Sequence, residues 1–254
     1  MSRYEASAPT SGPHGDDRPA QSIGSPWDPL YRTGAVCATL AVLSYAVALI
    51  IVVVAEAPPT SGGAEVLAFV AAHRTIYIVR QVLWLLPSVL LMVVFLALAV
   101  ALRNRGRSFA AVAGLITISS WAMSLAWPTT GDGSPAMVLL SDRYAAATTA
   151  GEQAPFVGGA EVLLALNDVP AVIGVLQTFG ILLISLLMRR GPFAAGLAWL
   201  GIATGTIGMV AELLRPVLGW AYAVYGLLLF GWLIGIAGAL WRHPRRHAPA
   251  REAP

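Results

Sequence analysis

Six stretches of this chain are each about twenty residues long and almost free of charge: about 33 to 54, 77 to 101, 108 to 127, 169 to 188, 193 to 214 and 220 to 241. A bilayer's hydrocarbon core of roughly 30 Å takes about 20 helical residues to cross. Within lipid each backbone N–H and C=O must find its partner inside the segment, so such runs have to be helical. The chain is therefore predicted to be all-α, a polytopic bundle of six transmembrane helices. Composition agrees: 57% of the 254 residues are hydrophobic, 11% are charged and the mean hydropathy is +0.72, against about 25% charged residues in soluble domains.

The basic residues orient the bundle. All sixteen are arginines, and short loops rich in Arg stay in the cytoplasm. Arg3, Arg18 and Arg32 precede the first run; Arg103, Arg105 and Arg107 join the second to the third; Arg189 and Arg190 join the fourth to the fifth; Arg242, Arg245, Arg246 and Arg251 follow the sixth. Both termini are thus expected to be cytoplasmic, in a multi-pass protein of the plasma membrane. Residues 1 to 31, rich in Pro, Ser, Gly and Asp, are expected to form a disordered cytoplasmic tail. Residues 32 to 242 form the membrane domain, and 243 to 254 a basic cytoplasmic tail. No charged n-region leads directly into an apolar segment with a cleavage site, so the first run reads as an uncleaved anchor.

The long outer connection, about 128 to 168, opens on the turn-rich WPTTGDGSP. Ser134 and Pro135 suit an N-cap and first helical position. Met137, Leu140 and Tyr144 then fall on one helical face, and a second short helix is predicted at about 158 to 166. This loop is too apolar to float free and is expected to form a short helical cap.

Counting at about 1.5 Å per residue places the charges by depth. Glu212 lies 22 residues beyond Arg190, about 33 Å, and similar counts put Glu56, Arg80, Asp168 and Arg215 in the same outer layer. The plain account of that layer is interfacial: Asp168 caps a helix, Arg80 and Arg215 snorkel, and Glu212 pairs with Arg215 at i, i+3. One pattern lifts Glu212 out of it. Gly201, Gly205, Gly208 and Glu212 form a single stripe, and the last run carries its own at Gly231, Gly235 and Gly238. Such stripes let helices approach closely. The two are expected to meet and to turn Glu212 into the bundle, as a candidate proton carrier or gate.

At mid-depth the polar groups are neutral. Gln177 is expected to hydrogen-bond a neighbouring helix. Pro87 has no N–H for the carbonyl of Leu83, so it should kink its helix and free that acceptor. Trp127, Trp220 and Trp241 suit the interfacial belt, while Trp84 and Trp121 lie within spans and could line a pocket. The candidate ligand-binding residues are therefore Arg80, Trp84, Trp121, Asp168, Glu212 and Arg215.

Much chemistry is missing. There is no HExxH, no GxSxG and no glycine-rich phosphate loop. One cysteine, Cys37, and four dispersed histidines hold neither a disulfide nor an intramembrane haem. No cofactor or metal is expected, and arginines scattered between helices are no nucleic-acid footprint. The expected partners are the lipid bilayer, a small amphiphile, and a further copy or another subunit packed on a glycine stripe.

The segment DRYAAATTAGEQAPFVGGAEVLLALND, a following helix ending in Arg-Arg, and GPFAAGLAWLGIATG resemble the uncharacterised bacterial integral-membrane family known as domain of unknown function 4386. The resemblance runs from about Arg32 to Trp241, most specifically through residues 144 to 148 and 199 to 201. It implies a six-helix membrane protein and no particular activity. Three functions stay open. The first is a non-enzymatic protein that binds or moves a small amphiphile or lipid at an outer mouth. The second is a membrane-embedded, terpene-cyclase-like enzyme in which protonated Glu212 starts the reaction and Trp84 or Trp121 stabilises a carbocation. The third is a subunit of a membrane complex.

Overall fold

The computed structural model describes residues 26–127, 130, 133–166 and 172–243. The described residues hold ten α-helices, two short 3-10 turns and no β-strand. The first helix, α1 (Asp28–Val54), starts with an acidic residue in its first turn and Pro29 beside it, both favourable at a helix N-terminus. It takes in residues 28 to 31, which the sequence reading assigned to the tail.

The connection after α1 holds an element the sequence reading missed, α2 (Gly63–Ala72). Next come α3 (Arg74–Leu102), α4 (Arg107–Ala126), α5 (Ala136–Ala146), α6 (Ala150–Ala165) and α7 (Val172–Met188). The chain ends with α8 (Ala195–Leu213), the single turn α9 (Arg215–Leu218) and α10 (Tyr222–Arg242).

Six of these helices close a ring in which α1 packs on α3, α3 on α4, α4 on α7, α7 on α8, α8 on α10, and α10 back on α1. One cluster fills the middle. Phe95 of α3 stacks on Trp232 of α10 with ring centroids 5.9 Å apart, and Leu91, Leu98, Ile181, Ile184, Met188, Leu233 and Ile236 close around them. The reason α1 can join is its small face: Ala35, Ala38, Ala41 and Ala48 are buried, and at Gly34 an added Cβ would lie 2.8 Å from Ala97 of α3. Its other face shows Leu40, Leu43, Val47, Ile50 and Val53 to the outside. Exposed rows of this size suit lipid and not water.

Five helical segments are long and apolar enough to cross a membrane: Asp28–Val54, Arg74–Arg105, Arg107–Ala126, Ala195–Leu213 and Arg215–Arg242. This is the build of a multi-pass membrane protein. The sixth expected crossing, 169 to 188, corresponds to α7, whose described length of 17 residues reaches about 26 Å.

The arginine-bearing turns gather at one end of the ring. There the Arg103 guanidinium lies 4.8 Å from the ring centroid of Trp27, and the His243 ring sits tilted against Tyr31 and Phe193, with centroids 4.5 Å and 5.9 Å away. Those contacts bring together the starts of α1 and α8 and the ends of α3 and α10.

The other end carries a cap. Helices α2, α5 and α6 pack on one another around Val66, Leu67, Val70, Met137 and Ala160, with Tyr77 at the start of α3. Met137 is fully buried and Leu140 and Tyr144 pack beside it, as the helical face predicted. Polar contacts pin the cap: Ser141 Oγ donates to the Leu67 carbonyl at 2.7 Å, the Gly63 N–H donates to Glu161, and Arg74 pairs with Asp142. Tyr77 Oη donates to the Ser134 carbonyl at 3.1 Å and accepts from the Ser134 N–H. Helix α6 begins eight residues earlier than expected because Thr149 and Glu152 form a reciprocal capping box ahead of it.

Candidate functional site

The expected meeting of glycine stripes is corrected by the packing. On α8 an added Cβ at Gly205 would sit 2.7 Å from the backbone nitrogen of Leu182, so α8 lies backbone-close to α7. Gly201 faces Ser185 of α7 and Trp232 of α10, and Gly208 faces Thr178 of α7 and Tyr225 of α10. The glycines of α10 do not meet that stripe: Gly231 and Gly238 have nothing within 4 Å of an added Cβ, and Gly235 meets the Leu197 side chain of α8. The physical reason is that α10 approaches α8 with aromatic side chains, Tyr225 and Trp232, which need the space that the α8 glycines leave.

This arrangement positions Glu212. It is 6% exposed, at the cap end of α8 and on the same stripe, so its inward direction is as expected. Its neighbours are not. Oε1 accepts a 2.6 Å hydrogen bond from the Tyr222 hydroxyl at the start of α10. Its Oε2 and Cδ press against Gly174 of α7, which has no side chain to keep them away.

Arg215 does not form the expected i, i+3 ion pair; among the described residues no salt bridge joins it to Glu212. Its guanidinium carbon sits instead 5.7 Å from the centroid of the Tyr222 ring. The α9 turn redirects the chain directly after Glu212, which carries Arg215 round to the aromatic face.

More tyrosines complete the group. Tyr225 is buried and meets Tyr222 edge-on with ring centroids 5.6 Å apart, and Tyr45 of α1 lies in the same neighbourhood. Trp84 of α3 follows, 5.7 Å from Tyr45. The Glu212 carboxyl of α8 therefore lies between the Tyr222 hydroxyl of α10 and the backbone of α7 at Gly174, with the Tyr225 ring beside Tyr222.

Of the candidate residues, Glu212, Arg215 and Trp84 fall in or beside this group. Arg80 is buried at 2% exposure, and its Nη1 donates to the Glu56 carbonyl at 3.0 Å, which replaces the expected snorkelling. Trp121 is buried on α4 within the main core. Asp168 lies outside the described residues. Tyr45, Tyr222 and Tyr225 were missed, although Tyr222 and Tyr225 at i, i+3 share a helical face just across a short turn from Glu212.

Two other expectations are met deeper in the bundle. Gln177 of α7 donates to Ser124 Oγ of α4 at 2.6 Å. The carbonyl of Leu83, left without its helical donor by Pro87, accepts from Ser44 Oγ of α1 at 2.8 Å.

At the arginine-rich end the surface opens into two clefts that the sequence reading did not anticipate. Among the described residues no group of three or more His, Cys, Asp or Glu side chains is placed to hold a metal ion. No family model, no curated protein and no solved structure matches the chain.

Proposed function

We propose that this chain is a six-span plasma-membrane protein with both termini in the cytoplasm, and that it binds a small amphiphile through the Glu212 carboxyl at its outer, capped end. The six-span topology rests on the ring, in which α7 occupies a full position between α4 and α8, and on the gathering of arginine turns at one end. Membership of the domain of unknown function 4386 family belongs to the same proposal.

The observation that carries the binding reading is the half-committed carboxyl. Glu212 is buried, one oxygen takes the Tyr222 hydroxyl, and the other takes no hydrogen bond among the described residues. That second oxygen keeps its capacity to accept, and a ligand hydroxyl or amine meeting Oε2 would gain a charge-assisted hydrogen bond. The aromatic faces of Tyr45, Trp84 and Tyr225 suit the apolar body of the same ligand. The ligand class is thus an amphiphile with a hydrogen-bond donor at its head.

Native mass spectrometry of the purified full chain tests it. Wild-type protein should carry a bound small molecule, and Glu212→Gln should lower its affinity about tenfold or more, the range expected for a hydrogen bond to a charged group. A wild-type spectrum with no adduct overturns the proposal.

A second reading, membership of a complex, draws on the open face of α10, where Gly231 and Gly238 are exposed beside Leu227 and Ile234. Small residues facing lipid suit close packing against another helix. Replacing both glycines with leucine should then convert an oligomer to monomer in detergent, as read by light scattering.

A further inference from the structure

The arginine-rich end holds a cleft of about 440 Å³ between the end of α7 and the start of α4, lined by Arg105, Gly106, Phe109, Leu186, Leu187, Arg189 and Arg190. Three arginines border it and no acidic side chain does. The adjoining stretches, residues 100 to 114 and 181 to 200, contain no Asp or Glu either. Arg189 is partly engaged, its guanidinium lying 4.4 Å from the ring centroid of Trp199. Arg105 and Arg190 are exposed at the rim.

A second feature points to an anion. Helix α4 starts at Arg107 behind Gly106 with no side-chain cap, so the first N–H groups of a 20-residue helix open beside this cleft. Unsatisfied N–H groups and the positive end of the helix dipole favour a bound oxyanion. The remaining wall is apolar. Phe109 of α4 and Leu186 of α7 are 45% and 40% exposed, and Phe109 continues along α4 into the outward-facing Val112 and Leu115. A basic head above an apolar track has the shape of a phospholipid.

The neighbouring cleft supplies a contrast. It shares Arg105, but its lining includes Asp28 as well as Arg103, so an acidic group already offsets part of its charge.

We propose that the cleft between α4 and α7 binds the phosphodiester of an anionic phospholipid, with Arg105, Arg190 and the N-terminus of α4 around the phosphate and one acyl chain against Phe109 and Leu186. The site is separate from the Glu212 group, at the opposite end of the bundle. Basic pockets between transmembrane helices commonly hold anionic headgroups, each arginine near the surface adding about 1 kcal/mol, or about fivefold.

The test uses the purified full chain in detergent, titrated with dioleoyl phosphatidylglycerol, dioleoyl phosphatidylcholine or sodium phosphate and read by native mass spectrometry. Phosphatidylglycerol should bind at least tenfold more tightly than phosphatidylcholine. The double variant Arg105→Gln, Arg190→Gln should lose about twenty-five-fold in affinity, while Arg32→Gln, Arg242→Gln, which removes the same charge from the same end, should keep wild-type affinity. Equal binding of the two lipids overturns the proposal, as does equal loss in both double variants. Saturation by inorganic phosphate at the lipid's concentration overturns the lipid and leaves a free-anion site. Should the Arg105, Arg190 double variant fail to fold, Phe109→Ala decides: weaker phosphatidylglycerol binding supports the acyl track, and unchanged binding overturns it.

Discussion

The hydrogen bond from Ser44 to Leu83 allows a sharp test of the reasoning, because its strength is set by a proline on the acceptor's own helix. In a regular helix the Leu83 carbonyl would accept from the N–H of residue 87, and Pro87 has none. Ser44 of α1 supplies the donor at 2.8 Å, from a position only 6% exposed. Removing it by Ser44→Ala leaves the carbonyl in a low-dielectric interior without its partner. Interhelical hydrogen bonds in membrane proteins average about 0.6 kcal/mol and reach about 1.7, whereas an unsatisfied buried group costs about 1–3 kcal/mol. The expected loss is about 1 kcal/mol. In a Pro87→Ala background residue 87 regains its N–H, Leu83 is satisfied within α3, and Ser44→Ala should cost only a few tenths of a kcal/mol. The cavity left by the proline ring is common to both members of the second pair and cancels in the cycle. Reversible unfolding of all four proteins in mixed micelles, followed by circular dichroism over an SDS titration, measures the coupling. An equal cost of Ser44→Ala in the two backgrounds would refute the argument.

Other consequences follow from the same contacts. Gly205→Ala forces a methyl against the backbone of α7 and should destabilise by about 1–3 kcal/mol, whereas Gly226→Ala meets open space and should be neutral or stabilising by up to about 1 kcal/mol; thermal midpoints in detergent compare them. Gln177→Ala removes the interhelical donor to Ser124 Oγ, which keeps only its long bond to the Ser120 carbonyl, and should cost about 0.6 kcal/mol by the same unfolding measurement. The N–H of Thr148, followed by the N–H of Thr149 and the Thr148 hydroxyl, holds the Glu152 carboxyl below its ordinary range. Because the folded value is the lowered one, this capping contribution is present above the ordinary carboxylate range and fades as pH falls through the lowered value. Hydrogen exchange at the start of α6 should therefore show wild-type protection converging on that of Glu152→Gln upon acidification, and a constant gap between them would contradict the assignment.

How far each feature could be read beforehand depended on which coordinate it needed. Helix existence needs only length and apolarity, so the runs after Arg32, Arg74, Arg107, Ala195 and Tyr222 were found within a few residues. Helix α2 was missed because GAEVLAFVAA is ten residues long behind PPTSGG, too short to stand alone. It is helical because α5 and α6 bury Val66, Leu67 and Val70, a fact of tertiary contact. The freed carbonyl of Leu83 follows from one residue, Pro87, but its donor depends on which face of α1 meets α3.

Glu212 shows the same division within one side chain. Counting from Arg190 placed it at the far end of its helix, and the stripe of Gly201, Gly205 and Gly208 turned it inward, as its burial shows. Position along a helix and facing are properties of that helix alone, and its sequence contains them. The partner is not. A glycine stripe says that something comes close, without saying whether the neighbour brings another glycine or a ring. Here α7 brings backbone at Leu182 and α10 brings Tyr225 and Trp232, so the room vacated on α8 is filled from both sides. Arg215, three residues away along the chain, was the natural partner by proximity; the α9 turn takes it over the Tyr222 ring and leaves the carboxyl to the tyrosine hydroxyl. An ion pair at that position would have neutralised Glu212 in place. A single hydroxyl occupies one oxygen and leaves the other open to a donor, and that difference is what makes the site a candidate for binding.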